Sequence, residues 1–557
     1  MSENFYTNDP LLQKLLKKHL PAHFFDYADE QLTKFGERVA TDIDKRAVHT
    51  DREGEPRLIK YNKMGEEVNK VWVNEGYLET VKETYETGIV GYVHKDIPEL
   101  GHAGNYIYSY AQGYVLSQSE PGFYCPVTLT MATAYLIDHY ADDELKERFL
   151  PHVLATGDTE LYEGATFLTE RQGGSDVGAN VVEAVEESDH YRLHGEKYFA
   201  SNSGMCGVAM VLARMEDAPE GSRGLSLFLV PWEENRADNK LSIRRLKDKL
   251  GVRAVPSAEV EFNGAKAYLV GDAFHGFKYM MEALNLSRVC NAVASLGIMR
   301  RAYTESRDYA FNRDAFGEKL ASYPMVQETL THLATKLEVE MTATFKLIEQ
   351  FDQVMAKNSQ ATDDDKAMLR LHIALLKKET AEQAIDFSHE AIEMHGGNGY
   401  IEDFVTPRLL RDAQVLTVWE GTANILGLEV LRLIKKFNVH ELFLRDINER
   451  IHRLPDRVTP LAAPVKTAIN DLMTMLTQLN ESDEQTMLMH PKRVANLMTQ
   501  ILEGVTALEM AEEDDRSYAV CEVFLEQTFK GGNNVTDLPL KHFKTIVQEE
   551  NLQPTES

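Results

Sequence analysis

The stretch "HYRLHGEKYFASNS" (His190–Ser203) decides how this chain divides. Aromatic and apolar residues recur through it at short intervals, and it ends in small polar turn formers, so it reads as a strand followed by a turn. Four runs of the same kind follow: "GVAMVLARM" (Gly207–Met215), "GLSLFLVPW" (Gly224–Trp232), "LSIRRL" (Leu241–Leu246) and "SAEVEFNGAKAYLV" (Ser257–Val270). Gly, Pro, Asn and Asp separate them, which predicts a compact antiparallel β domain over residues 161–276. Upstream, "LLQKLLKKHL", "ADEQLTKFGERVATDI" and "NEGYLETVKETYETGIV" carry apolar residues at helical spacing and predict a helical domain over residues 1–160. From Phe277 three long helical segments with short links predict an antiparallel bundle over residues 277–434. A further helical extension occupies residues 435–557 and closes on "NLQPTES", a polar tail expected to fray. The fold class is therefore α with an inserted β domain.

The 557 residues exceed a single core, and 43% hydrophobic with 26% charged is an ordinary globular balance. A net charge of -29 argues against a phosphate-backbone binder, which depends on clustered cations. Cys125, Cys206, Cys290 and Cys521 are widely spaced, a pattern of a reducing compartment rather than a disulfide framework or zinc site. No signal or transit peptide is evident and no apolar run spans a membrane, so the cytoplasm is the expected location. "HEAIEMH" (His389–His395) separates its histidines by six, which does not place both imidazoles on one helix face as a zinc helix requires, so no metal is expected. Rossmann, P-loop and nucleophile-elbow patterns are not found.

Four stretches carry chemistry. "FLTERQGGSDV" (Phe167–Val177) offers hydroxyls and backbone amides that suit phosphate oxygens, or else forms a polar hairpin loop. "GEKYFASNS" (Gly195–Ser203) sets Phe199 where it could lie against a flat ring, or is a plain sheet edge. "RDAFGEKLASYPMVQ" (Arg313–Gln327) places Arg313 and Phe316 after a long helix. In "EMHGGNGYIEDFVTPRLLRDAQVLTVWEGTANI" (Glu393–Ile425), Gly396, Gly397 and Gly399 break a helix, and Glu420 follows an apolar run. Taken alone, Glu420 is either a helix-start acid favoured by the dipole or a partly dry base.

In this order and at these separations the four stretches resemble the acyl-CoA dehydrogenase family over roughly residues 60–430. The resemblance implies an N-terminal helical domain, a central antiparallel β-barrel and a C-terminal four-helix bundle, here with extra C-terminal helices. It also implies a homotetramer, a dimer of dimers, carrying one FAD per subunit. Leu168 and Thr169 would meet the flavin ring. Ser175 would lie where flavin phosphate and the pantetheine of CoA pass. Phe199 stands for the family Trp against the flavin and Ser201 for its Thr. Arg313 and Phe316 match residues that reach a neighbouring subunit's FAD, Gly396 and Gly397 the adenine-side glycines, and Thr422 and Asn424 the other flank of the cofactor. Arg288 matches an Arg near the CoA pocket. Glu420 falls on the catalytic base, and Ser287, at the alternative base position of some branches, cannot serve. Glu393 and Pro324 depart from the glutamines usual at their places and are left out of the site.

The implied reaction is FAD-dependent oxidation of an acyl-CoA to its 2-enoyl-CoA, with an electron-transfer flavoprotein as acceptor. The departures, "PRLIKYNKMGEEVNKVWVNEGY" (Pro56–Tyr77) and the extension resemble the alkylation-response (AidB-type) branch, whose best-known member also binds DNA. Residues 431–557 hold 14 Lys and Arg against 20 Asp and Glu, which suits DNA poorly. A protective or scaffolding flavoprotein and an acyl-CoA oxidase stand as alternatives.

Overall fold

Four of the five expected strands, together with one that the sequence did not single out, close into a ring. The computed structural model describes residues 4–530 and 535–548, so the "NLQPTES" tail lies outside the described residues. The chain forms two compact units, residues 1–9 with 20–290 and residues 10–19 with 291–557. Helix α1 (Pro10–His19) thus belongs with the second unit. It buries Leu12, Leu15 and Leu16 there, and Lys14 and Lys18 meet Glu513 at 2.8 and 2.7 Å.

In the first unit, α2 (Ala22–Arg38), α3 (Asp44–Arg52), the hairpin β1 (Arg57–Tyr61) and β2 (Glu67–Trp72), α4 (Glu75–Glu86) and the short pair β3 (Asp96–Ile97) and β4 (His102–Ala103) lead to α5 (Tyr106–Ser117), α6 (Pro121–Tyr140) and α7 (Asp143–Val153). Every residue of α5 is buried, so α5 is a central rather than amphipathic helix. Asn74, Asn105 and Asp142 cap α4, α5 and α7 by accepting from the amides of Tyr77, Tyr108 and Leu145.

The β domain contains β5 (Glu163–Phe167), β6 (Glu183–Glu186), β7 (Tyr191–Ser201), β8 (Cys206–Met215), β9 (Leu225–Pro231), a short helix α8 (Trp232–Ala237), β10 (Leu241–Leu246) and β11 (Ser257–Val270). Strands pair in the cycle β11, β7, β6, β8, β9 and back to β11, with β10 added beside β11 and β5 beside β8. Closure leaves the ring without free edges. Pairing is antiparallel except along one edge of β8, where β5 and β6 lie in succession and both run parallel to it. The β1–β2 hairpin is pinned to this domain through Lys60 Nζ, 3.0 Å from the Ile243 carbonyl, and through Asn69 Oδ1, which accepts from the Ile243 amide.

Helix α9 (Gly276–Asn312) contributes to both units. The second unit continues through the hairpin β12 (Asp314–Ala315) and β13 (Glu318–Lys319), α10 (Pro324–Met355), α11 (Asp363–His395), α12 (Thr406–Leu416) and α13 (Ala423–Phe437). The extension adds α14 (Val439–His452), α15 (Ala463–Glu481), α16 (Glu484–Leu488), α17 (Pro491–Met510), α18 (Asp515–Phe529) and α19 (Leu538–Phe543). Charged side chains pair the extension with the bundle helices of the same unit. Lys336 on α10 lies 2.8 Å from Glu503 and 2.9 Å from Glu379, and Arg516 reaches Glu338 at 2.8 Å. Among the described residues no helix is long and apolar enough to cross a membrane.

Candidate functional site

In the first unit the site is built on the loop after β5 and on a bulge in β7. Ala258 pairs with Ala200 and Val260 with Lys197, so Tyr198 and Phe199 together face the single residue Glu259. This bulge resets the strand's alternation. Lys197 and Ala200 both turn inward to full burial, while Phe199 is turned out and is 54% exposed. The Lys247 ammonium lies 3.4 Å from the Tyr198 ring centroid and 4.6 Å from that of Phe199.

The loop is anchored under this bulge. Lys197 Nζ lies 2.8 Å from Glu170 Oε1, with both side chains buried, and also donates to the Leu168 carbonyl at 3.3 Å. Burial outweighs the Glu170 partner and draws the Lys197 ammonium down to about 8, so it stays charged at neutral pH. The other face of Glu170 accepts from the Val181 amide at 2.7 Å, Asn180 donates to the Leu168 carbonyl at 2.8 Å, and the Tyr198 amide donates to the Thr169 carbonyl at 2.9 Å. Leu168 and Thr169 are thus held half-exposed beside Phe199. Ser175 sits on the exposed outer turn, with Gly173 at φ +123° and Gly174 so close that a Cβ there would come within 2.6 Å of Thr169 Oγ1. Ser201 Oγ lies 3.2 Å from Ser257 Oγ. Arg288 is buried on α9, with Nη1 donating to Asn285 Oδ1 at 3.2 Å.

In the second unit two groups form. At one end of the bundle, α11 stops at Gly396, whose φ is +58°. Gly396 and Gly397 open to free space, where an added Cβ would meet nothing within 4 Å. Asn398 donates to the Tyr309 hydroxyl at 3.1 Å and the Arg313 amide donates to the Tyr309 carbonyl, so this turn and the β12–β13 hairpin share one anchor. The hairpin turns on Phe316 at φ +53° and Gly317 at φ +92°, and Phe316 is 99% exposed at its tip. An aromatic in that backbone region is strained.

The second group is the turn between α12 and α13. Glu420 stands two residues before Thr422, the N-cap of α13, and so outside the helix. It is half-buried, at φ +61°, followed by Gly421 at φ +110°. The Gly421 carbonyl accepts from Lys377 Nζ at 2.7 Å, and Lys377 is 1% exposed on α11. The Thr422 side chain makes no cap bond, which leaves the first amides of α13 beside Thr422 and Asn424 open to an acceptor. Lys377 precedes His395 by 18 residues, so the Glu420 turn and the Gly396 turn lie roughly 27 Å apart along α11.

Leu168, Thr169, Phe199 and Ser201 are therefore brought together, as are Glu420, Thr422 and Asn424, and Arg313 with Gly396 and Gly397. Sequence reasoning missed Glu170, Asn180, Lys197 and Lys377. The first three lie in or beside quoted motifs, where the pairing of "TE" with "EK" was the available signal. Lys377 gave none.

This fold, with a ring of strands between helical segments and a glycine loop, bulged aromatic and left-handed acid turn, has known counterparts. The chain belongs to the acyl-CoA dehydrogenase family. The profile for the acyl-CoA dehydrogenase C-terminal domain matches residues 275–434, that for the middle domain residues 165–265, and that for the adaptive response protein AidB N-terminal domain residues 1–157. Acyl-CoA dehydrogenase family member 11 of Caenorhabditis elegans is 32% identical over 86% of this chain and 79% of its own length. The putative acyl-CoA dehydrogenase AidB of Escherichia coli is 32% identical over 61% of this chain and 62% of its own. Among solved structures, C. elegans ACDH-11 in complex with C11-CoA superposes with a TM-score of 0.86 at 28% identity, covering 99% of this chain and 95% of that one. The Bd2924 apo-form gives 0.81 at 30% identity, over 90% and 97%. Membership makes the chain an AidB-type acyl-CoA dehydrogenase, a flavoprotein class that uses FAD.

Proposed function

We propose that this enzyme desaturates an acyl-CoA thioester to its 2-enoyl-CoA with Glu420 as the base. The observation that carries the reading is the Glu420 turn. A structural carboxylate does not need a half-buried place at positive φ, a conformation costing about 1–3 kcal/mol in a non-glycine residue. Glu420 takes the α-proton, and its backbone amide donates to the thioester oxygen as charge develops there. Bound FAD would supply the acceptor for the hydride from the β-carbon.

The residues suit that cofactor. Phe199 presents an open ring face, Leu168 and Thr169 offer backbone and hydroxyl beside it, and Ser175 stands on a loop of exposed amides. Thr422 and Asn424 stand at the uncapped start of α13, which suits an anionic group. Arg313, Phe316, Gly396 and Gly397 face outward and are assigned to a neighbouring subunit's FAD. Phe316, Met325 and Tyr400, all more than three-quarters exposed, support self-association into a dimer of dimers. Arg288 and Ser175 are assigned to CoA. The acceptor is an electron-transfer flavoprotein, and four free cysteines, three of them buried, fit a cytoplasmic setting.

The solved relative was bound to C11-CoA, which makes medium-length acyl chains the first to try. Anaerobic mixing of the FAD-loaded protein with a chain-length series should bleach the flavin and yield a 2-enoyl-CoA. Persistence of the oxidised spectrum with every acyl-CoA would favour the scaffolding alternative. Peroxide formed in air would identify an oxidase.

A further inference from the structure

The reaction reading leaves a buried lysine beside the base unexplained. Lys377 and Lys378 are adjacent on α11 and both are buried. Lys378 has an ordinary partner, Glu382 one turn along its own helix, at 2.8 Å. Lys377 reaches out of its helix to a loop carbonyl, that of Gly421. An ammonium removed from water carries a desolvation cost of several kcal/mol, so a chain keeps one where it is needed.

The loop it reaches has reason to need it. Helix α12 ends at Leu416, the Trp419 amide still donates to the Val415 carbonyl, and α13 opens with the Leu426 amide donating to Thr422. Between them Glu420 and Gly421 form a two-residue left-handed tract. Such a tract relaxes unless surrounding groups over-determine it. A charge-assisted bond to the Gly421 carbonyl fixes the orientation of the peptide immediately after the base.

We propose that Lys377 is a positioning residue for Glu420, its buried ammonium holding the Gly421 carbonyl inward and with it the left-handed turn that presents the carboxylate. The proposal rests on Glu420 as base. It does not place Lys377 in contact with substrate. A lysine that only stabilised the bundle would affect folding and leave the chemistry of the folded enzyme unchanged.

The test compares Lys377→Met and Lys377→Arg with the parent holoenzyme in three readouts. They are anaerobic flavin reduction by a reactive acyl-CoA, acyl-CoA binding from perturbation of the flavin spectrum, and amide hydrogen exchange in the 417–426 segment. Lys377→Met should slow flavin reduction roughly 10–100-fold, the scale of a base misplaced by about an ångström. Acyl-CoA affinity should stay within about threefold, and exchange in 417–426 should quicken while α11 stays protected. Lys377→Arg, which keeps the charge, should recover part of both losses. A folded, FAD-loaded Lys377→Met with the parent's rate and exchange would overturn the proposal, as would loss of folding in both variants. Glu420→Gln is run alongside: if it keeps the parent's rate, the base assignment fails on its own, whereas a slow Glu420→Gln beside an unaffected Lys377→Met refutes only the positioning role.

Discussion

Replacing Lys197 by Met should destabilise the first unit in a way that fades with falling pH. The substitution keeps the side chain out to its ε-atom and removes the ammonium. Glu170 is left buried with the Val181 and Val182 amides, 2.7 and 3.2 Å away, but with no counter-charge from Lys197. The penalty has a ceiling, because the carboxyl can take up a proton instead of staying ionised. A glutamate in an unfolded chain titrates at about 4.3, so protonating one at pH 7 costs roughly 3.7 kcal/mol. That ceiling agrees with the about 3–5 kcal/mol usual for a broken buried pair. It drops by about 1.4 kcal/mol for each pH unit below 7, to roughly 1 kcal/mol at pH 5. A further cost of about 1 kcal/mol, for the lost bond to the Leu168 carbonyl, does not depend on pH. Urea unfolding of the parent, Lys197→Met and Lys197→Met/Glu170→Gln at pH 5, 6 and 7 isolates these contributions, since other titrations cancel in the differences. The single variant should lose about 3 kcal/mol more at pH 7 than at pH 5, with the double variant regaining most of that pH-dependent part. A cost that is flat with pH, or a double variant no more stable than the single one, would refute the reasoning.

Other outcomes follow from the same geometry. Burial lifts Glu163 to about 7, so the folded chain holds a proton that the unfolded chain has released, and stability is lost as pH rises from about 4.5 to 7. Glu163→Gln should abolish that loss of roughly 3 kcal/mol, and melting curves of parent and variant that run parallel from pH 5 to 8 would exclude it. Burial raises Glu509, but Arg450 and Lys346 more than offset this and hold it at about 2, so its contribution is present above about 4.5 and lost as pH falls towards 2. Arg450→Met should therefore cost about 2–4 kcal/mol at pH 7 and little near pH 2.5, read from melting temperatures across that range. Phe316→Asn should relieve the left-handed backbone at the hairpin tip, where Asn-Gly is the favoured pair, yet weaken self-association; an unchanged mass in sedimentation velocity would count against the assigned interface.

Elements dominated by local pattern were legible in the sequence. The runs at 190–203, 207–215, 224–232, 241–246 and 257–270 became β7, β8, β9, β10 and β11 within a few residues, because a β-rich run bounded by turn formers is a local property. The strands β5 and β6 were not singled out, being short and defined by parallel pairing to the distant β8. The bulge at Tyr198–Phe199 was also hidden, since it exists only in register with Glu259. Nothing local told that α1 would pack with helices some 500 positions later, because its partners Glu513 and Asp514 are ordinary surface acids in the sequence. Glu420 could be found by motif, while the left-handed turn around it and Lys377 behind it required the fold.

The most direct test of the central claim is exchange of the acyl-CoA α-hydrogens with deuterated solvent, followed in the parent enzyme and in Glu420→Gln. A base at Glu420 predicts solvent deuterium at the α-carbon with the parent enzyme and a loss of roughly 100–10,000-fold in that exchange with the variant. Undiminished α-exchange in a folded, FAD-loaded Glu420→Gln would contradict it.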